Sequence, residues 1–455
     1  MKRTLLCALA LAMAALTGCG ANNGSQISQQ NSGSLFVTGE DAPLSSVVSF
    51  QLTLNSVTLN GAKNTPQVVS NTTVDFARLI GLRSPLSFNS VPADTYQSVT
   101  ITMSTPVISY VDMTQNPPAL NTINGTLPAN PFTVTVNLPS PMVVSTNGLA
   151  GLRMDMDIHQ SVAVDGNGNV TGSVNPVFYV KATKASDPDG QITDLMGGLV
   201  SVSGNSFVMQ GPYGRQLTID VNNSTQFNSG WNINNLAAPA FVAVQGAFQA
   251  DGTLLATAVE VITTAHSFVS GRILQVIANN SGQAQTVTMW VGETGADMVN
   301  DVDTIQTFNI GAVTQYDVCF MNGPLTNMVF NDTAMVIGQR IFIGGSYSGG
   351  VFTPAMISLR LQGVYGTFVP ASVTITNGNT GSFELTNNGL VGYSAGGPVT
   401  VNTFGFTFFY DLTGLDQLAA TGTNIPLVTR GLLLKNPVSG TPEMYAGFVA
   451  DPPQN

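Results

Sequence analysis

Along residues 152–159 two chemistries alternate: Leu152, Met154, Met156 and Ile158 take one parity, Arg153, Asp155, Asp157 and His159 the other. On an extended strand the polar set projects from a single face. Two carboxylates at that spacing stand about 7 Å apart, a distance that suits acid/base work or a shared cation, with His159 as a further ligand. The plainer reading is a solvated strand face on which Arg153 and His159 offset the acids, and alternation alone favours it. Adjacent carboxylates on one strand also point the same way, whereas a glycoside hydrolase sets its pair on opposite sides of the scissile bond.

The rest of the chain offers less. It has 2 histidines, His159 and His266, and no cysteine pair to complete a zinc site. Gly345-Ser346-Tyr347-Ser348-Gly349 carries its serines at the wrong places for a nucleophile elbow, and no phosphate-binding loop lies between a strand and a helix. Asp165, Asn167 and Asn169 have the oxygen spacing that opens calcium loops but lack the glycine and distal glutamate, which favours a plain Asp-Gly hairpin. Asp297, Asp301 and Asp303 read as an acidic exposed loop, with weak calcium binding as the alternative. Trp231 and Trp290, with Phe404, Phe406, Phe408 and Phe409, suit a sugar-stacking platform, although alternating aromatics in strands usually fill cores. No catalytic residue, metal site or cofactor is assigned, weak calcium being the one ion left open.

The elements that position these residues read as strands. Phe50, Leu52 and Leu54 alternate with polar neighbours, then Val57 and Leu59 take the opposite parity, which predicts a bulge near Asn55-Ser56. Val99 to Met103, Phe132 to Leu138 and Val174 to Val180 continue the pattern, and only Val74 to Gly81 suggests a helical turn. One wet and one dry face on successive strands predicts an antiparallel β-sandwich over residues 34–186. Beyond the turn Asp187-Pro188-Asp189-Gly190 the chain repeats weakly. Gly198-Leu199-Val200, Gly271-Arg272-Ile273 and Gly366-Thr367-Phe368 each open a β run, and Gly246, Gly345 and Gly431 each end a later one. Three small β-barrel or β-sandwich modules follow, at 191–265, 266–362 and 363–455. The fold class is all-β.

Composition narrows the setting. Only 9% of residues are charged against 43% hydrophobic, and 47 glycines with 24 prolines punctuate short β-branched runs. The first residues carry Lys2 and Arg3, an apolar run from Leu5 to Leu16, and the ending Leu16-Thr17-Gly18-Cys19, too short to span a membrane and suited to an export signal. Once that signal is gone, 12 of the 14 basic residues remain against 25 acidic ones, so nucleic acid is excluded as a partner and adsorption to anionic lipid is disfavoured. Of the 3 cysteines only Cys319 stays in the folded part, as a small buried hydrophobe.

Three resemblances follow. Leu16-Thr17-Gly18-Cys19 resembles the lipobox of bacterial lipoproteins. This implies a signal peptide at 1–18, acylation of Cys19 on its sulfur and new amine, and a tether over 19–33. Gly20 stands where lipoproteins kept in the inner membrane carry Asp, so the outer membrane is the expected host. Residues 34–184 resemble a lipoprotein domain of unknown function. The likeness rests on Gly39-Glu40-Asp41-Ala42-Pro43, Val91-Pro92-Ala93-Asp94-Thr95-Tyr96, Met154-Asp155-Met156-Asp157 and Val174-Asn175-Pro176-Val177. It implies a β-sandwich and brings no assigned activity. Gly197 to Ile262 is similar to a second uncharacterised bacterial domain built as a short barrel, through its Val244–Thr253 and Ala256–Val261 runs. The expected function is a lipid-anchored, non-catalytic envelope protein, held at the membrane by acyl chains and acting as a binding, adhesion or structural module, with glycan or other envelope proteins as partners. The alternative is a glycan-binding or glycan-cleaving protein using acidic and aromatic surface residues.

Overall fold

The computed structural model describes residues 31–42, 46–79, 83–113, 115–165, 169–211, 214–320, 325, 328–387, 398–410 and 412–450. The signal, Cys19 and the tether up to residue 30 therefore lie outside the described residues, as does Asn167.

Eleven strands build the N-terminal part: β1 (Ser32–Ala42), β2 (Val47–Gly61), β3 (Gln67–Asp75), β4 (Ser84–Pro92), β5 (Asp94–Asp112), β6 (Ala119–Asn124), β7 (Phe132–Val144), β8 (Leu149–Asp157), β9 (Val162–Val164), β10 (Val170–Val174) and β11 (Phe178–Thr183). One sheet runs β11-β8-β1-β4; the other runs β3-β2-β5-β6, with β7 also on β5. Leu35, Val37, Phe50, Leu52, Leu54, Met103, Leu152 and Met154 fill the space between them, which makes a sandwich. It is not wholly antiparallel, because β1 and β8 pair in parallel from Ser34–Leu149 to Ala42–Asp157. The switch of parity in β2 is a register shift between Leu54 and Ser56, and it leaves Val57 and Leu59 in the same core as Phe50 to Leu54. The expected helical turn is a 3-10 turn at Phe76–Leu79.

Each C-terminal module repeats one six-strand plan. The first holds β12 (Ile192–Ser203), β13 (Ser206–Gln210), β14 (Gln216–Asp220), β15 (Gln226–Phe227), β16 (Phe241–Phe248) and β17 (Leu254–Thr263). The second holds β18 (Phe268–Ala278), β19 (Ala284–Thr294), β20 (Thr304–Asn309), β21 (Gln315–Val318), β22 (Arg340–Ser348) and β23 (Val351–Leu359). The third holds β24 (Gln362–Asn377), β25 (Thr380–Asn387), β26 (Val399–Thr403), β27 (Phe408–Tyr410), β28 (Pro426–Lys435) and β29 (Pro442–Ala450). Numbered within a module, all three sheets read 3-2-1-5-6-4. Parallel pairing of the third strand with the sixth closes the first and third sheets into five-stranded barrels. In the second, β20 and β23 are not paired among the described residues.

The repeated glycines have a steric cause. A Cβ at Gly246, Gly345 or Gly431 would overlap the carbonyl oxygen of Leu255, Thr353 or Tyr445 on the neighbouring strand. A register shift lies beside each of these glycines, so the barrels bend there. In the opening strand the crowded position of the first module is Gly197, one residue before the glycine singled out from sequence. A Cβ at Gly198 would meet nothing, whereas Gly197 abuts Gln210 as Gly271 abuts Trp290.

The sandwich and modules pack against one another. The second face of β1 sends Phe36 into the first module, where its ring stacks on Phe248 at 5.2 Å. Met196, Ala243, Phe268, Phe342 and Cys319 join the first two modules, and Val48, Val111, Leu274 and Trp290 join the sandwich to the second.

Candidate functional site

The polar face of β8 is covered rather than solvated, which corrects the sequence expectation. Asp155 is 6% exposed and Asp157 3%. Their face is closed over by Val428, Arg430, Phe448 and Ala450 of the third module. Asp155 ion-pairs with Arg153 at 3.1 Å, while Glu40 ion-pairs with Arg153 and with Arg83, the latter at 2.5 Å. The strand ends at Asp157, whose carboxylate caps the short helix α1 (Ile158–Ser161) by accepting from the Gln160 backbone N–H at 2.8 Å and side-chain amide at 2.6 Å. His159 lies on that helix, exposed, with its ring 6.2 Å from Tyr365. The three candidate residues are thus divided among an ion pair, a helix cap and a surface, not gathered into one site.

Electrostatics in this covered layer follow from burial. Desolvation raises the Asp155 carboxyl to about 6, against the pull of Arg153. Burial and then repulsion from Asp155 hold the Asp41 carboxyl well above the carboxylate range. Burial acts the same way on Glu40, but Arg153, Arg83 and Arg430 together keep it below its usual value. Burial and the neighbouring Arg83 lower Arg430 to about 9. Arg430 donates to Thr193 Oγ1 at 2.9 Å and lies over the Phe448 ring at 4.8 Å, so it ties the third module to the first strand of the first.

A second charged cluster joins the first two modules. Arg360, fully buried on its side chain, donates to both Glu260 oxygens at 2.9 and 3.0 Å and ion-pairs with Asp194. Arg340 takes the other Asp194 oxygen at 2.7 Å. Cys319 donates its S–H toward Asp194 and Glu260 at 3.6 Å, so it is more than a small hydrophobe. Asp194, Glu260 and Cys319 form the one group of metal-ligating atoms close enough to share an ion among the described residues. Arg360 and Arg340 already neutralise its two carboxylates, and a cation would have to displace the Arg360 guanidinium.

The remaining sequence candidates disperse. Asp297 accepts from Ser267 Oγ at 2.6 Å, Asp301 from Gln306 at 3.2 Å, and Asp303 pairs with Arg78. Asp165 accepts from the Asn169 backbone at 2.9 Å and closes a hairpin. Trp290 and Phe409 are buried, and Trp231 packs on the first module's core; Phe406 and Phe408 alone are strongly exposed, at 42% and 43%.

Of the arginines after Arg3, sequence reasoning weighed only Arg153 as a charge. All eight that follow Arg3 stand at junctions between sandwich and modules or between modules: Arg78, Arg83, Arg153, Arg215, Arg272, Arg340, Arg360 and Arg430. A signal was present. Arg272 in Val269-Ser270-Gly271-Arg272-Ile273-Leu274, Arg360 in Ile357-Ser358-Leu359-Arg360-Leu361 and Glu260 in Ala258-Val259-Glu260-Val261 each interrupt an apolar run. A charge on a face that is otherwise buried has to find a partner, or a ligand, inside.

Residues 189–260 match the family model of a domain of unknown function (DUF5666), a span that includes the strands of the first barrel up to β17. No curated protein matches the chain.

Proposed function

We propose that this is a lipid-anchored, non-catalytic envelope protein. Its sandwich and three β modules form one body that stands off the membrane on the 19–33 tether and presents loops for binding. The observation that carries this reading is where the acids go. The carboxylates that offered catalytic chemistry, Asp155 and Asp157, are buried in an ion pair and a helix cap, and the other clustered charges bolt modules together. Anchoring rests on the lipobox-like Leu16-Thr17-Gly18-Cys19. No helix among the described residues is long and apolar enough to cross a membrane. The test is membrane fractionation with an alkyne-labelled palmitate probe. Wild type should label and sediment with outer membranes, whereas Cys19→Ala should lose the label and wash off in salt. Salt-resistant attachment of unlabelled Cys19→Ala would end the proposal.

One observation favours the glycan-binding reading. Phe404 and Phe406 stack at 5.0 Å with 4° between their planes, and Phe406 offers an exposed ring. Retention on a glycan array that is lost in Phe406→Ala would favour it; an unchanged or blank array would reject it.

A further inference from the structure

Strands β18 and β22 place Arg272 directly opposite Arg340. Like charges at facing positions of neighbouring strands repel, so such a pair costs stability unless anions hold both. Arg340 has Asp194 at 2.7 Å and the Leu361 carbonyl at 2.9 Å. Arg272 is 8% exposed, and its guanidinium makes no hydrogen bond or ion pair with any described residue. Burial, with Arg340 beside it, lowers its guanidinium to about 10.

Two other groups in the same wall are also unsatisfied. The Trp290 indole N–H and one carboxylate oxygen of Glu293 are buried without a hydrogen-bond partner among the described residues. With Arg78, Arg340 and Ser270 they line a cavity of about 60 Å³ between the sandwich and the second module. Arg78, Glu293 and Arg340 also wall a cavity of about 290 Å³ that reaches Arg83, Thr193 and Gln210. Unpartnered donors and acceptors are rare in folded interiors, because each forfeits its hydration. Three of them around one small space, one a guanidinium, need a common explanation.

We propose that this three-way junction binds a small organic anion, a carboxylate or a phosphate ester, that also carries a hydroxyl donor. Its anionic group sits against Arg272 and the Trp290 N–H, its hydroxyl faces Glu293, and the rest of the molecule occupies the larger cavity. Arg340 and Arg78, each already ion-paired, add field rather than a free charge. The site lies away from β8 and from the Arg360 cluster, and it does not depend on lipid anchoring.

The test is calorimetry and thermal shift on the full chain with four probes: acetate, lactate, inorganic phosphate and glycerol 3-phosphate. Lactate or glycerol 3-phosphate should bind saturably and more tightly than the hydroxyl-free anion of the same charge type. Arg272→Gln should weaken that binding roughly tenfold or more, and Trp290→Phe severalfold, since each removes a donor to an anion. Lys63→Gln, at an exposed residue that lines neither cavity and whose backbone bonds Asp94, should bind as wild type. Arg272→Met should melt at or above the wild-type temperature without ligand, because it removes a buried, repelled charge. Failure of all four probes at 10-millimolar scale (roughly the weakest useful affinity), or binding unchanged in both Arg272→Gln and Trp290→Phe, would overturn the assignment.

Discussion

Arg360 offers the sharpest test of how the modules are joined. Its side chain and that of Asp194 are wholly buried and Glu260 is 8% exposed, so none of the three is screened by solvent. Truncating one partner of such a group strands the others and costs about 3–5 kcal/mol. Arg340 keeps its hold on Asp194 in Arg360→Met, whereas Glu260 loses both guanidinium bonds. We therefore expect about 4 kcal/mol, the middle of that range, and for a unit of this size a fall in Tm of roughly 10 °C. Trp231 and Trp290, one in each of the first two modules, report the loss by fluorescence during urea or thermal unfolding. The cost comes from the stranded charge and not from lost volume. A double variant, Arg360→Met with Glu260→Gln, leaves the Asp194–Arg340 pair balanced and should regain most of the stability. A single variant within about 2 °C of wild type, on a scale of roughly 2–4 °C per kcal/mol, would refute the reasoning. So would a double variant that falls as far as the single.

Asp155 should make stability pH-dependent. Its folded pKa of about 6 lies above the ordinary 3.8, so its contribution is complete below the lower value and is lost as pH rises through the upper one. Over that window wild type should lose up to about 3 kcal/mol relative to Asp155→Asn, read from urea melts at stepped pH. Asp157→Ala should cost about 1 kcal/mol through loss of the α1 cap, with Asp157→Asn nearly neutral, by the same melts. Gly431→Ala drives a methyl into the Tyr445 carbonyl and should cost the third module about 3 kcal/mol or more, seen as an early melting step in calorimetry.

Much of the architecture was written locally. Alternation along β2, β5 and β8 marks strands because side chains leave a strand on opposite faces, and the parity change at Asn55-Ser56 marks a bulge for the same reason. Gly246, Gly345 and Gly431 announced the repeat, since each occupies a bend where a neighbouring carbonyl leaves no room for a Cβ. Periodicity also grouped Arg153, Asp155 and Asp157 on one face correctly. It could not say what lies on that face, because two-residue periodicity reports which side chains are together and nothing about the surface that comes down on them. Tertiary structure decided that the third module covers it with Arg430 and Phe448, and it turned a solvated charge pattern into a buried one. It likewise decided the partners of the arginines. Arg360 meets Glu260 across 100 residues of chain and Asp194 across 166, separations at which no local pattern survives. What the sequence did determine there is that a charge set in an apolar strand calls for a partner or a ligand inside, since burying it bare costs stability.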